Sequence, residues 1–230
     1  MPVNLEKYKE IVAELKEKNV TLVAVSKTKP LEDILELYEL GQRDFGENYV
    51  QELVEKYQQL PKDIRWHFIG HLQSNKLKLI APFVSLIQSV DSEKLLKEIN
   101  KEAKKNERVI DCLLQIHIAK EETKFGFNEN EFKEIIKDTD NADGENLFQN
   151  ISLKGLMGMA SLTDDKEIVK KEFQSLKLLF DNCSSLSIPN FQFSIVSMGM
   201  SSDYKMAIDE GSNMVRIGSL LFGKRNYKKD

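Results

Sequence analysis

The sequence predicts an α/β fold, a (β/α)8 TIM-type barrel read as a single domain over residues 1–230 with an additional N-terminal helix. Three observations lead there. Short apolar runs rich in β-branched residues alternate eight times with segments of helical spacing. Such alternation implies a parallel sheet with both faces covered. No composition break divides the 230 residues, and eight units at this length suit a barrel. An open doubly wound sheet is the runner-up. It usually carries glycine in its first turn, whereas the first turn here is Ser26, Lys27 and Thr28.

The elements follow from spacing and punctuation. Leu5, Tyr8, Ile11, Val12 and Leu15 repeat at helical intervals, predicting a helix over about 4–19. The first strand, about 20–27, runs into Pro30, which starts a helix that stops near Gly41. Arg43–Gly46 is a short strand, and Val50, Leu53, Val54 and Tyr57 mark the helix after it. Arg65–Gly70 is the third strand, followed by a helix for which Ser74 is the expected cap and which ends before Pro82. Val84–Val90 is the fourth, with Asp91 or Ser92 capping the helix of Leu95, Leu96, Ile99 and Ala103. Val109–Ile118 is the fifth, and Asn128 with Glu131 forms a capping pair for the next helix. The polar stretch 138–150 reads as an insertion on the face opposite the strand ends. Ile151–Ala160 is the sixth strand, and a long helix then reaches about Cys183. Gln192–Val196 is the seventh, Ser201–Asp203 starts a short helix, and Met214–Gly218 is the eighth. Leu220–Gly223 closes the last turn before a basic tail.

Composition excludes several classes. Hydrophobic content of 41% and charged content of 30% are ordinary for a soluble globular chain. A net charge of −4 gives no electrostatic case for nucleic acid. Cys112 and Cys183, each in an apolar run, read as buried free thiols rather than a disulfide, which implies a reducing, cytoplasmic setting. No apolar signal core or membrane-length run is present, so no membrane partner is expected. The three histidines, His67, His71 and His117, make no usual metal-ligand pair, and no nucleophile elbow supports a serine triad.

Barrels place their sites at the carboxyl ends of the strands. Lys27 ends an apolar strand, where a hydrated ammonium is unusual. Partial burial lowers a lysine's pKa, and a neutral amine attacks carbonyls to form Schiff bases. The neighbouring Lys29 is expected to snorkel to solvent. After strands seven and eight, Ser197–Asp203 and Arg216–Ser219 combine small residues with hydroxyls, the chemistry of an anion cradle. Two tight turns and a helix cap are the plainer reading. Alternation points Arg216 into the barrel, to pair with a carboxylate or to face a ligand. Asn48 after strand two orients a ligand or caps the next helix, and capping is the commoner role. His71 after strand three is a candidate hydrogen bonder behind the ligand. A lysine and a phosphate cradle at one barrel end suit a ligand bearing an aldehyde and a phosphate, such as pyridoxal 5′-phosphate.

The stretches Val25–Thr28, Phe45–Glu52, Trp66–Lys76, Gly155–Met157, Ser197–Ser201 and Val215–Gly218 span nearly the whole chain in order. Together they resemble the pyridoxal phosphate homeostasis proteins, a family similar to the N-terminal barrel of alanine racemase. His117 and Gly158–Ala160 depart from that family's usual residues. The resemblance implies that Lys27 holds the cofactor as a Schiff base. It places the phosphate on Ser201, Gly218 and Ser219, Arg216 at the pyridine nitrogen, and Asn48 close by. It also implies a barrel without the racemases' C-terminal β domain, whose tyrosine serves one face of the substrate. Tyr49 and Tyr204 lie near strand ends but are expected to be packing or rim residues. The expected function is a monomeric carrier and buffer of pyridoxal phosphate in vitamin B6 homeostasis, with apoenzymes that need the cofactor as partners. The alternatives are a low-activity PLP-dependent racemase or lyase, and a Schiff-base aldolase acting on a sugar phosphate.

Overall fold

The computed structural model describes residues 3–119, 125–139, 148–184 and 191–223. Eight parallel strands close in sequence order: β1 (Thr21–Val25), β2 (Asp44–Glu47), β3 (Arg65–Phe68), β4 (Leu86–Val90), β5 (Ile110–Ile116), β6 (Ile151–Gly158), β7 (Phe191–Met200) and β8 (Met214–Ile217). Closure comes from β8 pairing with β1, with Thr21 opposite Met214 and Ala24 opposite Ile217. The barrel is therefore as the alternation predicts.

The helices are α1 (Leu5–Glu17), α2 (Leu31–Glu39), α3 (Val50–Gln59), α4 (Glu93–Lys105), α5 (Glu129–Thr139), α6 (Lys166–Ser184), α7 (Tyr204–Asp209) and α8 (Ser219–Phe222). The caps read from sequence appear at two of them. Ser92 Oγ accepts from Leu95 N, and Asn128 and Glu131 exchange hydrogen bonds at 2.9 and 3.0 Å. Ser74 is a correction. The segment Ser74–Leu79 is a 3-10 helix that begins at Ser74, with Gln73 before it and no side-chain cap. Strand seven is longer than predicted because a bulge between Ser197 and Met200, with Gly199 at φ 95°, interrupts the alternation and then resumes pairing with β8. Of the polar stretch 138–150, the first two residues end α5, Phe148–Asn150 turn into β6, and 140–147 lie outside the described residues, as does the basic tail. No described helix is long and apolar enough to cross a membrane.

α1 takes a definite place in the ring. α8 is a single turn and cannot cover the seam between β8 and β1. α1 fills that slot, burying Tyr8, Ile11 and Leu15. On one side Tyr8 Oη reaches Gln42 beyond α2, and on the other Glu14 binds Tyr204 and Lys205 of α7. The additional N-terminal helix thus packs beside the short α8, with Asn4 N donating to Leu221 O.

Alternation splits the core in two. Phe45, Trp66 and Phe68 point outward, fully buried among the helices, while Val23, Leu86, Leu113, Met157 and Met214 fill the lumen. The lumen's floor is polar. Asp44 accepts from Arg65 Nε at 2.7 Å and lies 3.1 Å from His67 Nε2. Burial alone would raise the Asp44 carboxyl, but the His67 and Arg65 hydrogen bonds outweigh it and hold the pKa at about 2. A folded-state pKa below the unfolded one gives stability that is present above the unfolded value and lost as pH falls through the folded one. Wild type should therefore lose about 2 kcal/mol more than Asp44→Asn as pH drops from about 4 to about 2, measured by urea denaturation.

Candidate functional site

At the carboxyl end of the barrel lies a pocket of about 330 Å³. Six of the residues singled out from sequence, Lys27, Asn48, Ser201, Arg216, Gly218 and Ser219, line it together. The strand order explains the convergence. β1 lies between β2 and β8, so the loops carrying Lys27, Asn48 and Ser219 are neighbours.

The backbone on both sides of Lys27 is clamped. β1 ends at Val25, and Thr28 adopts a left-handed φ of 62° in the turn that follows. Beneath it sits Lys56 of α3, only 4% exposed. Its ammonium donates to Ser26 O at 2.7 Å, to Glu47 Oε1 at 2.7 Å and to Glu52 Oε1 at 2.6 Å. Glu47 Oε1 also accepts from Ser26 Oγ at 2.6 Å, and Glu52 Oε1 accepts from Thr28 N at 2.6 Å. A buried Lys56–Glu47 pair, extended by the partly exposed Glu52, thereby fixes the residues before and after Lys27. Burial raises the Glu47 carboxyl to about 7 despite the lowering by Lys56. Sequence reading missed Lys56 and Glu52 in this role. Their i, i+4 spacing was visible, but it looked like a solvated helix pair. Lys29 departs from its expected place in solvent. Its ammonium donates to Phe222 O at 2.5 Å, tying the turn to the end of α8.

Asn48 does not cap α3, because the cap position is Tyr49. Its Oδ1 is buried without a hydrogen-bond partner. A carbonyl so placed costs roughly 1–3 kcal/mol unless a ligand supplies a donor. Gly70 fixes the Asn48 backbone by close approach. A Cβ there would sit 2.3 Å from Asn48 O.

The opposite wall joins two loops. Ser201 Oγ accepts from Gly218 N at 3.2 Å, linking the turn after β7 to the start of α8 at Ser219. Gly218 is close-packed, since a Cβ would meet Val25 O at 3.1 Å. Arg216 points inward as alternation requires and is 4% exposed. Its donors go to Ser197 Oγ at 2.6 Å and Gly158 O at 2.9 Å. No carboxylate hydrogen-bonds to it among the described residues, so the carboxylate-pair alternative does not hold. Burial draws its pKa down to about 10 against the raising influence of Asp203, leaving it a cation at neutral pH. The pocket thus combines an amine, a guanidinium and serine hydroxyls, a donor set suited to a small anion.

His71 is not brought to this pocket. It stands at the mouth, half exposed, with Nδ1 2.8 Å from Asp91 Oδ2 and its ring stacked on Phe125 at 4.1 Å. Tyr49 is exposed, and Tyr204 turns away to bond Glu14 at 3.1 Å. Sequence reading gave Met159 no part in the lining and had Met200 and Ser202 only within the Ser197–Asp203 stretch, without a role of their own. Met159 follows inward Met157 by two and was legible. Met200 was not, since the bulge in β7 reverses the alternation there.

Removing the clamp has a definite cost. Lys56→Met leaves Glu47 and Glu52 facing each other without a counter-ion, and it should lower unfolding free energy by about 3–5 kcal/mol in chemical denaturation. A loss below about 1 kcal/mol, typical of a surface pair, would contradict the buried clamp.

The model of the alanine racemase N-terminal domain family matches residues 3–226. Relatives named pyridoxal phosphate homeostasis protein include one from Pasteurella multocida, 40% identical over 216 residues, covering 93% of this chain and 90% of its own. The one from Homo sapiens is 42% identical over 219 residues, covering 90% of this chain and 78% of its own. Among solved structures, PipY of Synechococcus elongatus with PLP bound is 32% identical at a TM-score of 0.81, covering 93% of this chain and 99% of that one. A Clostridium difficile alanine racemase covers 99% of this chain and 59% of its own at a TM-score of 0.74, and at 18% identity it shows the shared fold alone. By identity spread over nearly its whole length, the chain belongs to the pyridoxal phosphate homeostasis protein family, within the wider alanine racemase N-terminal domain family.

Proposed function

We propose that this pocket binds pyridoxal 5′-phosphate through Lys27 and that the protein carries and buffers the cofactor in the cytoplasm, as a monomer, for apoenzymes that need it. The observation that carries the reading is the pairing, in one pocket, of a clamped lysine turn with a two-loop hydroxyl cradle. Pyridoxal phosphate homeostasis proteins at about 40% identity, and PipY with PLP bound, support it.

The residues present fit the group. Ser201, Gly218 and Ser219 would hold the phosphate, and Asn48 Oδ1 has an unmet need for a donor. Lys27 would anchor the group through its amine, and the group's aldehyde would supply the carbonyl for Schiff-base chemistry there. Arg216 beside a pyridine nitrogen would keep that nitrogen unprotonated, since two cations repel, and would so make the ring a poor electron sink. Racemisation also needs acid and base groups on both faces of the α-carbon. The two tyrosines considered for that role point to solvent and to Glu14. The arrangement favours holding the cofactor over turning over an amino acid.

Titration with pyridoxal phosphate should give a visible absorbance band that saturates at one equivalent and disappears in Lys27→Ala. The loaded protein should restore activity to an apoenzyme, with no α-proton exchange in the common amino acids. Exchange by wild type but not by Lys27→Ala would show an enzyme instead of a carrier.

A further inference from the structure

The barrel lumen holds a polar chain that reaches from the floor to the pocket. Arg216 Nη1 donates to Ser197 Oγ at 2.6 Å. Ser197 Oγ donates to Gln88 Oε1 at 2.7 Å. Gln88 Nε2 lies 2.9 Å from His67 Nδ1, and His67 Nε2 lies 3.1 Å from Asp44 Oδ1. Asp44 is closed off by Arg65, bonded to both carboxylate oxygens. Ser197 and Gln88 are fully buried, and His67 is 4% exposed.

The chain has one direction. A guanidinium only donates, so Ser197 Oγ accepts from Arg216 and spends its own proton on Gln88 Oε1. That sets the amide: Oε1 faces Ser197 and Nε2 faces His67. The second Nε2 proton points at Met214 Sδ, 3.3 Å away. His67 Nδ1 must then accept, its ring proton sits on Nε2, and the final acceptor is the Asp44 carboxylate. Turning the amide over would take the acceptor away from the Ser197 proton and set Gln88 Oε1 against the accepting His67 Nδ1 in the buried lumen. Because an amide stands in the middle, the chain conducts no proton. It fixes positions.

We propose that Ser197, Gln88 and His67 are positioning residues that set the orientation of the Arg216 guanidinium through a one-way hydrogen-bond relay anchored on Asp44 at the opposite face. The proposal rests on the reading of Arg216 as the group facing a bound pyridine nitrogen. Asp44 and His67 touch no part of the pocket, yet they hold its cation in register.

Two measurements test it. Nitrogen NMR of the ligand-free protein should show His67 with Nδ1 unprotonated and Nε2 protonated. An Nδ1–H tautomer would overturn the relay whatever the protein binds. In His67→Leu, pyridoxal phosphate should still label Lys27 on borohydride reduction, but its dissociation constant should rise about three- to tenfold, the value of one lost hydrogen bond. The ring-nitrogen shift of 15N-labelled cofactor should move as well. His67→Gln, which both accepts and donates, should restore both. A folded His67→Leu with unchanged affinity and shift would sink the positioning role. If wild type takes no label, the binding reading falls by itself, and the tautomer alone decides the relay.

Discussion

The site depends on the pairing of β1 with β8. That contact closes the sheet, and its register puts Ala24 beside Ile217, so the residues that follow, Val25 and Gly218, meet. Lys27 and Ser219 are remote in sequence, and only barrel closure brings them to one pocket. The Lys29 bond to Phe222 O reinforces the same seam, and α1 covers it from outside. An open sheet with the same strands would leave the amine and the cradle at opposite edges.

Charge placement around that seam is selective. Lys56 is neutralised by two glutamates, so its charge serves the turn and not a ligand. Arg216 bonds a hydroxyl and a carbonyl, and so it keeps its charge for the pocket. A chain with net charge −4 thereby presents a locally cationic pocket. The physical distinction between the two buried cations is the charge state of their acceptors: carboxylates match the charge of Lys56, and neutral groups leave the charge of Arg216 to the pocket.

Much of this was legible in the sequence, for definable reasons. Strand and helix order follows from periodicity, which tertiary packing seldom overrides in long segments. The six lining residues were legible because barrel sites sit at strand ends, a rule that needs only the strands. What the sequence hid were cross-chain contacts. Lys56 and Glu52 look like an ordinary surface pair until β2 places Glu47 against them. His67 and Gln88 sit mid-strand with no motif, and their partnership appears only once β3, β4 and β7 close around one lumen. His71 illustrates the reverse. A histidine at a strand end invites a site role, yet its ring is drawn to Asp91 and Phe125 at the mouth.

The most direct measurement is borohydride reduction of the protein loaded with pyridoxal phosphate, followed by peptide mapping. A single pyridoxyl label on the peptide containing Lys27 is the predicted result. A label on another lysine, or none after saturation with the cofactor, would contradict the account.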